Sequence, residues 1–272
     1  MLYLLAHFFT VQAEPMGSVT SAISYNRLGG SVLVQHGIHH SKWEKEDNVL
    51  FQDTGIQLVG EANITPALVQ PGIRVTVNPI AVLKLEGYAF GDYYFGNFQT
   101  LVGYDDLGKN YGTNQEIATY VEGNGRQHAG AGWHAGGKMV LQAKVKNIIF
   151  LNSVDYGYYD VFKPSGETGV ATFERIKEVM IAFDGDQILE NNTMLFYEKN
   201  MSVDAFYRVG SLTSYRQSFK ANDRLLRSGL IAMVNFGGNG MHIVIAQPYL
   251  VDRTFEGAWS APYLAYAFKY SY

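Results

Sequence analysis

The densest group of residues able to do acid–base or nucleophilic chemistry is His36-x-x-His39-His40-Ser41. If this segment is extended, His39 and Ser41 share a face, because successive side chains of a strand alternate. An imidazole beside a hydroxyl can serve as base and nucleophile once a carboxylate or amide orients the ring, and Glu44 and Glu46 follow closely. The plainer alternative is a polar strand end running into a charged loop. His36 and His40 share the other face, as would His128 and His134, but each pair is too far apart along a strand to chelate by itself. Imidazoles converging from neighbouring strands would suit zinc or nickel, yet seven His in 272 residues is ordinary. The reading therefore takes no metal and no cofactor. Asp184-Gly185-Asp186, with Glu190 beyond, offers alternating oxygens without the ligand spacing of an EF-hand, and Asp-Gly reads as a tight turn. P-loop, Gly-x-Gly-x-x-Gly and Gly-x-Ser-x-Gly patterns are absent.

A second set of reactive groups consists of charges set inside apolar runs: Lys84, Glu86, Lys138, Lys144, Lys146, Asp204, Arg208 and Lys269. Each belongs to a period-two pattern. Ala81, Leu83 and Leu85 oppose Lys84 and Glu86. Met139, Leu141, Ala143 and Val145 oppose Lys138, Gln142, Lys144 and Lys146, with Val140 as the exception. Val203, Ala205, Tyr207 and Val209 oppose Asp204 and Arg208, with Phe206 as the exception. At the end of the chain, Leu264, Tyr266, Phe268, Tyr270 and Tyr272 oppose Ala265, Ala267, Lys269 and Ser271. Such alternation is the signature of strands with two unlike faces.

These strands need turns. Gly237-Gly238-Asn239-Gly240 reads as a hairpin turn, and Asn78-Pro79 and Asn147 as short connections. Longer polar connections are expected at Ser41–Asp53, Asp105–Gln127, Lys163–Lys177 and Thr213–Arg227. Thr172–Met180 reads as a short helix or a loop, and no long helical period is present. The runs add up to about twelve strands. With no internal repeat or linker, residues 14–272 read as one domain. Met1–Ala13 reads as a truncated secretory signal, with Val11-Gln12-Ala13 as its cleavage site; the alternative is a first strand or a mobile terminus.

Composition narrows the class. Charged residues are 17%, hydrophobic residues 47% and aromatics 14%, with 19 Tyr, 16 Phe and 29 Gly. A soluble domain carries nearer a quarter of charged residues. A net charge of −4 and the absence of basic clusters argue against nucleic acid as a partner. Zero Cys excludes disulfides and thiolate chemistry. No apolar run is long enough for a spanning helix. A soluble β-sandwich would also alternate, but its outer face would carry many scattered charges. Here even the polar face is thinly charged. A transmembrane antiparallel up-and-down β-barrel, apolar outward and polar inward, accounts for both faces and satisfies every backbone group without an edge.

The last strand strengthens this. Leu264, Tyr266, Phe268, Tyr270 and Tyr272 resemble the terminal signature of bacterial outer-membrane β-barrels, which end on an aromatic residue preceded by apolar residues at alternate positions. The resemblance implies an integral outer-membrane location, both chain ends on the periplasmic side, and recognition of the last strand by the barrel-assembly machinery. The His39-x-Ser41 segment is similar to the His-x-Ser pair of outer-membrane phospholipases and lipid A deacylases, but Lys42-Trp43 follows where the phospholipases have Asn-Gly. Three functions are expected in turn: a passive porin-like channel for small solutes with a basic-biased lumen formed by the charges above; a structural or adhesive barrel acting through its outer loops; and a lipid-acting hydrolase using Ser41 and His39. The lumen is expected to be either wet or plugged by counter-charges from loops such as Asp105-Asp106.

Overall fold

The computed structural model describes residues 14–25, 29–44, 49–51, 54–98, 100–107, 114–124, 126–174, 177–202, 205–252 and 262–272. The expected signal segment 1–13, Asp204 and Glu46 lie outside them. The strands are β1 (Glu14–Tyr25), β2 (Gly29–Ser41), β3 (Gly55–Ile64), β4 (Leu68–Ile80), β5 (Leu83–Phe95), β6 (Gly103–Tyr104), β7 (Ala129–Val145), β8 (Ile148–Val161), β9 (Ala171–Glu174), β10 (Val179–Ala182), β11 (Asp186–Asn200), β12 (Ala205–Ser218), β13 (Arg224–Phe236), β14 (Gly240–Gln247), β15 (Tyr249–Asp252) and β16 (Tyr263–Ser271). One helix, α1 (Asn114–Asn124), lies between β6 and β7.

The wall runs β12-β11-β8-β7-β5-β4-β3-β2-β1-β16-β14-β13, and the pairing of β12 with β13 closes it. β15 continues β14 past Pro248, which has no N–H to give the ladder, and pairs with β13 in its turn. Counting that interrupted strand once gives a closed antiparallel barrel of 12 strands.

Register decides which side chains face out. Every wall strand carries large, exposed apolar side chains at outward positions: Ile23, Val34, Leu58, Ile73, Leu85, Leu141, Phe150, Leu195, Val209, Leu230, Val244 and Leu264 among them. An exposed apolar belt around a whole molecule has no counterpart in water. It fits hydrocarbon, where closure also removes every strand edge. Aromatics gather at the two rims of the belt. Tyr25, Tyr93, Phe95, Trp133, Tyr156 and Tyr158 ring the loop end, and Tyr197, Phe236, Tyr270 and Tyr272 ring the turn end. These are the girdles of a barrel seated between two interfaces.

The last residue is clasped on the turn-end rim. Tyr272 and Gly17 exchange backbone hydrogen bonds, both 3.0 Å. The Tyr272 ring lies over Gly17, where a Cβ would collide with it. It also stacks on His36 at 6.3 Å.

Three sequence expectations are corrected. Within Thr172–Met180, the expected helix or loop, Thr172–Glu174 and Val179–Met180 are strand, paired in the β9–β10 hairpin. The strand residues are buried on all sides, so neither period shows. The helix lies instead within the expected loop Asp105–Gln127. There Ile117, Tyr120 and Val121 pack on Val102, Tyr104, Phe173 and Met180 in a small core at the loop end. Thr213–Arg227 is largely wall rather than loop: β12 runs to Ser218 and β13 starts at Arg224. Its Thr-Ser-Tyr-Arg-Gln-Ser stretch is polar on both faces, which hides the alternation.

Candidate functional site

The candidate site is the lumen, which has two unlike walls. The polar wall spans β1 to β8. Ser18 donates to Gln35 (2.9 Å), and Gln35 donates to Glu61 (2.9 Å). Arg74 then bridges Glu61 (2.7 Å) and Glu86 (2.5 Å), with Lys84 on Glu86 at 2.9 Å. Deeper toward the loop end, Gln70 donates to Asp92 (2.6 Å), and His134 meets Asp92 at 2.9 Å. The His134 ring is sandwiched between Phe90 (5.0 Å) and Tyr159 (4.6 Å). Tyr88 donates to Asp155 (2.5 Å).

The opposite wall, from β8 through β14, is aliphatic at mid-height. Phe196, Leu212 and Ile231 form a cluster with Ile149, Met194, Met233, Ile243 and Ile245. Register puts all of these on the inward face: Met194 opposes Leu212, and Ile231 opposes Ile245. Ala265 and Ala267 extend the wall onto β16. Below it, at the turn end, Glu198 holds Lys144 (2.5 Å) and Arg208 (2.6 Å).

The loop-end mouth is occupied by the β9–β10 hairpin, which folds inward. Two buried aspartates hold it. Asp186 accepts from the backbone N–H of Ala182 (3.1 Å), Gln187 (2.7 Å), Lys220 (2.8 Å) and Ala221 (3.0 Å). Asp223 accepts from Met180 N–H at 2.7 Å. At the inner tip, Lys177 pairs with Glu190 (3.2 Å), and Arg216 reaches both Glu190 (3.0 Å) and Glu178 (3.3 Å). Arg227 lies 2.8 Å from Glu178 and 3.9 Å from the Tyr263 ring centroid. The hairpin is therefore seated in the mouth both by charge pairing with the wall and by Val179 and Ile181, which are buried in one core with Leu68, Tyr94, Tyr159, Ile188 and Leu225 of the wall. Above it, Glu167 joins Arg126 and His128, with Arg126 also on Asp105 at 2.7 Å. Burial works to raise the Glu167 carboxyl, but Arg126, the Gly169 N–H and His128 outweigh it and hold the group below its ordinary range.

The proposed lumen residues fall as follows. Lys84, Glu86, Lys138, Lys144, Arg208 and Lys269 occupy inward register positions. Lys146 does not: β7 ends at Val145, and Lys146 sits in the turn with φ 54°. Asp204 lies outside the described residues. The strand acids Glu61, Asp92, Asp155, Glu190 and Glu198 were absent from the sequence-derived set, and with them the inward charges are mostly paired rather than basic-biased. Their signal was available, since each is a lone acid within a period-two run, but their partners sit one or two strands away. The counter-charge to the lumen comes from the wall and from Glu178; Asp105 stays in the loop-end connection on Arg126.

The His39–Ser41 pair shares the inward face at the turn end, as its spacing requires. The His39 ring lies over Gly55, and its buried Nε2 has no hydrogen-bond partner. Among the described residues, neither Ser41 nor a carboxylate bonds to it, so base, nucleophile and orienter are not assembled. The histidines do not converge either. His36 faces outward beside Tyr272, His128 is in the loop-end connection before β7, and His134 is in the lumen. No group of three potential ligands occurs among the described residues. Asp184-Gly185 is a turn at positive φ, and Asp186 is the hairpin anchor already described.

Closure, the apolar belt and the paired girdles define the chain as an integral β-barrel of the outer-membrane type. No family model and no curated protein matches the sequence. Among solved structures, an outer-membrane channel from Pseudomonas putida F1 is 7% identical over 97% of this chain and 97% of that chain, with a TM-score of 0.48. The β domain of the Bordetella autotransporter BrkA is 9% identical over 95% and 98%, with a TM-score of 0.44. The translocator domain of the autotransporter NalP from Neisseria meningitidis is 8% identical over 100% and 92%, with a TM-score of 0.40.

Proposed function

We propose that the barrel is a constricted passage for small amphipathic solutes across the outer membrane. The observation that carries this is the two-walled lumen. A pore for ions and sugars gains from polar lining on all sides, whereas here the half-buried Met194, Met233, Ile243 and Ile245, backed by the buried Phe196, Leu212 and Ile231, are the apolar surface a passing molecule would meet. Facing it, the amides and charges of Gln35, Glu61 and Arg74 can hold a polar group. Burial of apolar solute surface is worth about 25 cal/mol per Å², so a small hydrocarbon group would prefer this wall to water. The β9–β10 hairpin sets the bore. In this reading the loop end faces outside and the turn end faces the periplasm. The β16 aromatics are then the contact for the assembly machinery.

The test uses the purified chain in proteoliposomes and planar bilayers. Benzoate should enter faster than glucose, and ion conductance should be small. A variant with residues 171–182 replaced by a short Gly-Ser linker should pass both solutes faster. If neither form passes either solute, the barrel is closed and this reading fails. Equal entry of benzoate and glucose would leave a passage but remove the assignment of the aliphatic wall.

A further inference from the structure

The outer surface carries an anomaly that no lumen function explains. On β3, β4, β5 and β7 the outward positions hold only apolar or aromatic side chains. On the neighbouring β8, β11, β12 and β13 a row of amides and hydroxyls crosses the same surface. Register places Asn152 opposite Thr193, Thr193 opposite Thr213, and Thr213 opposite Ser228. Asn191 and the exposed Ser211 flank the row on the same face. The groups partly satisfy one another. Asn152 donates to Thr193 (2.8 Å), Thr193 to Asn191 (3.3 Å), and Asn191 to the Ser153 carbonyl (3.2 Å); Thr213 and Ser228 share a hydrogen bond of 2.8 Å.

The row is not at a headgroup level. Thr193 is at the middle of β11, and Asn152 and Ser228 are each well inside their strands. Polar groups at that depth are expensive and generally face protein or water rather than lipid. Each Asn amide has more donors and acceptors than these bonds use. A face of this kind is suited to a protein partner: small residues allow close approach, and amides and hydroxyls hydrogen-bond across the contact.

We propose that this face is where two copies of the chain meet in the membrane. The chemistry selects a second copy. Charged outward residues on these strands, Asp160, Lys199 and Arg224, lie at the strand ends, so the row itself is neutral and presents no charge to a charged partner. Amides and hydroxyls are donors and acceptors at once, which makes the row its own complement. An isologous two-fold contact requires that property.

The test labels Asn239→Cys, in the exposed turn between β13 and β14, with donor or acceptor dye; the chain has 0 native Cys. Energy transfer is then measured in vesicles of phosphatidylcholine across a dilution series of protein in lipid. Transfer that is competed by unlabelled protein is expected. A triple variant, Asn152→Leu, Asn191→Leu and Thr193→Val, should fold as well as the parent and need about tenfold more protein per lipid for the same transfer. The same triple change should leave solute entry unaltered, because the row faces away from the lumen. A parent that shows no competed transfer overturns the proposal, and so does a triple variant that associates like the parent. Leu58→Asn with Ile73→Asn on the opposite wall provides a second check: if it alters association as strongly as the triple variant, the assignment of this face is wrong.

Discussion

Ile73 and Arg74 are adjacent on β4, yet they inhabit opposite media, and exchanging their roles tests the whole face assignment. Ile73 is outward and 58% exposed, close to the middle of its strand. Arg74 is inward, between Glu61 and Glu86. Replacing Ile73 with Arg sets a charge against hydrocarbon near mid-depth, at a cost of about 2–4 kcal/mol. The same change at Val145, 70% exposed but the last residue of β7, puts the charge at the turn-end interface and should cost only about 0–1 kcal/mol. Replacing Arg74 with Leu is damaging for the other reason. It strips a cation from two mostly enclosed carboxylates, and removing one partner of a buried pair costs about 3–5 kcal/mol. Here Gln35 still reaches Glu61 and Lys84 still reaches Glu86, so the lower part of that range is expected. The assay is reversible urea-titrated folding into lipid vesicles, one titration per variant. Arg at position 73 costing no more than Arg at 145 would refute the placement of β4 in the membrane. A harmless Arg74→Leu would refute the ion-pair ladder.

Three further outcomes follow from particular contacts. Gly17→Val fills the space under the Tyr272 ring; it should lower the yield of folded, gel-shifting barrel about as much as deletion of Tyr272, and far more than deletion of one residue between 105 and 127. Glu167 has a folded pKa below its unfolded one, so its contribution is present above the ordinary carboxylate range and fades as pH falls through and below it. Hydrogen exchange of residues 162–170, corrected for intrinsic rates, should rise at pH about 3 relative to pH about 6, and Glu167→Gln should flatten that difference. Asp186→Ala removes acceptors for four backbone N–H groups; it should loosen the β9–β10 hairpin to added protease while the wall strands stay protected, and a hairpin protected as in the parent would count against its anchoring role.

Sequence alone carried the barrel because the deciding physics is local. Period two is a property of neighbouring residues, so Met139, Leu141 and Val145 declare one face and Lys138 and Lys144 the other without knowledge of their partners. The terminal run Leu264 to Tyr272 and the Gly237–Gly240 turn are equally self-contained. Local reading failed where both faces of a segment meet similar surroundings. β9 and β10 are enclosed on every side, and Thr213–Ser218 is polar on both faces. The tertiary structure decided what lies across the sheet. Glu61 meets Arg74 on the next strand, Glu198 meets both Lys144 and Arg208, and Glu178 comes down from a loop to Arg216 and Arg227. Charge balance in the lumen, the aliphatic wall and the polar row outside all depend on the lateral order and register of strands distant in sequence. No window along the chain contains that information, because a one-residue slip between strands would exchange every inward side chain for an outward one.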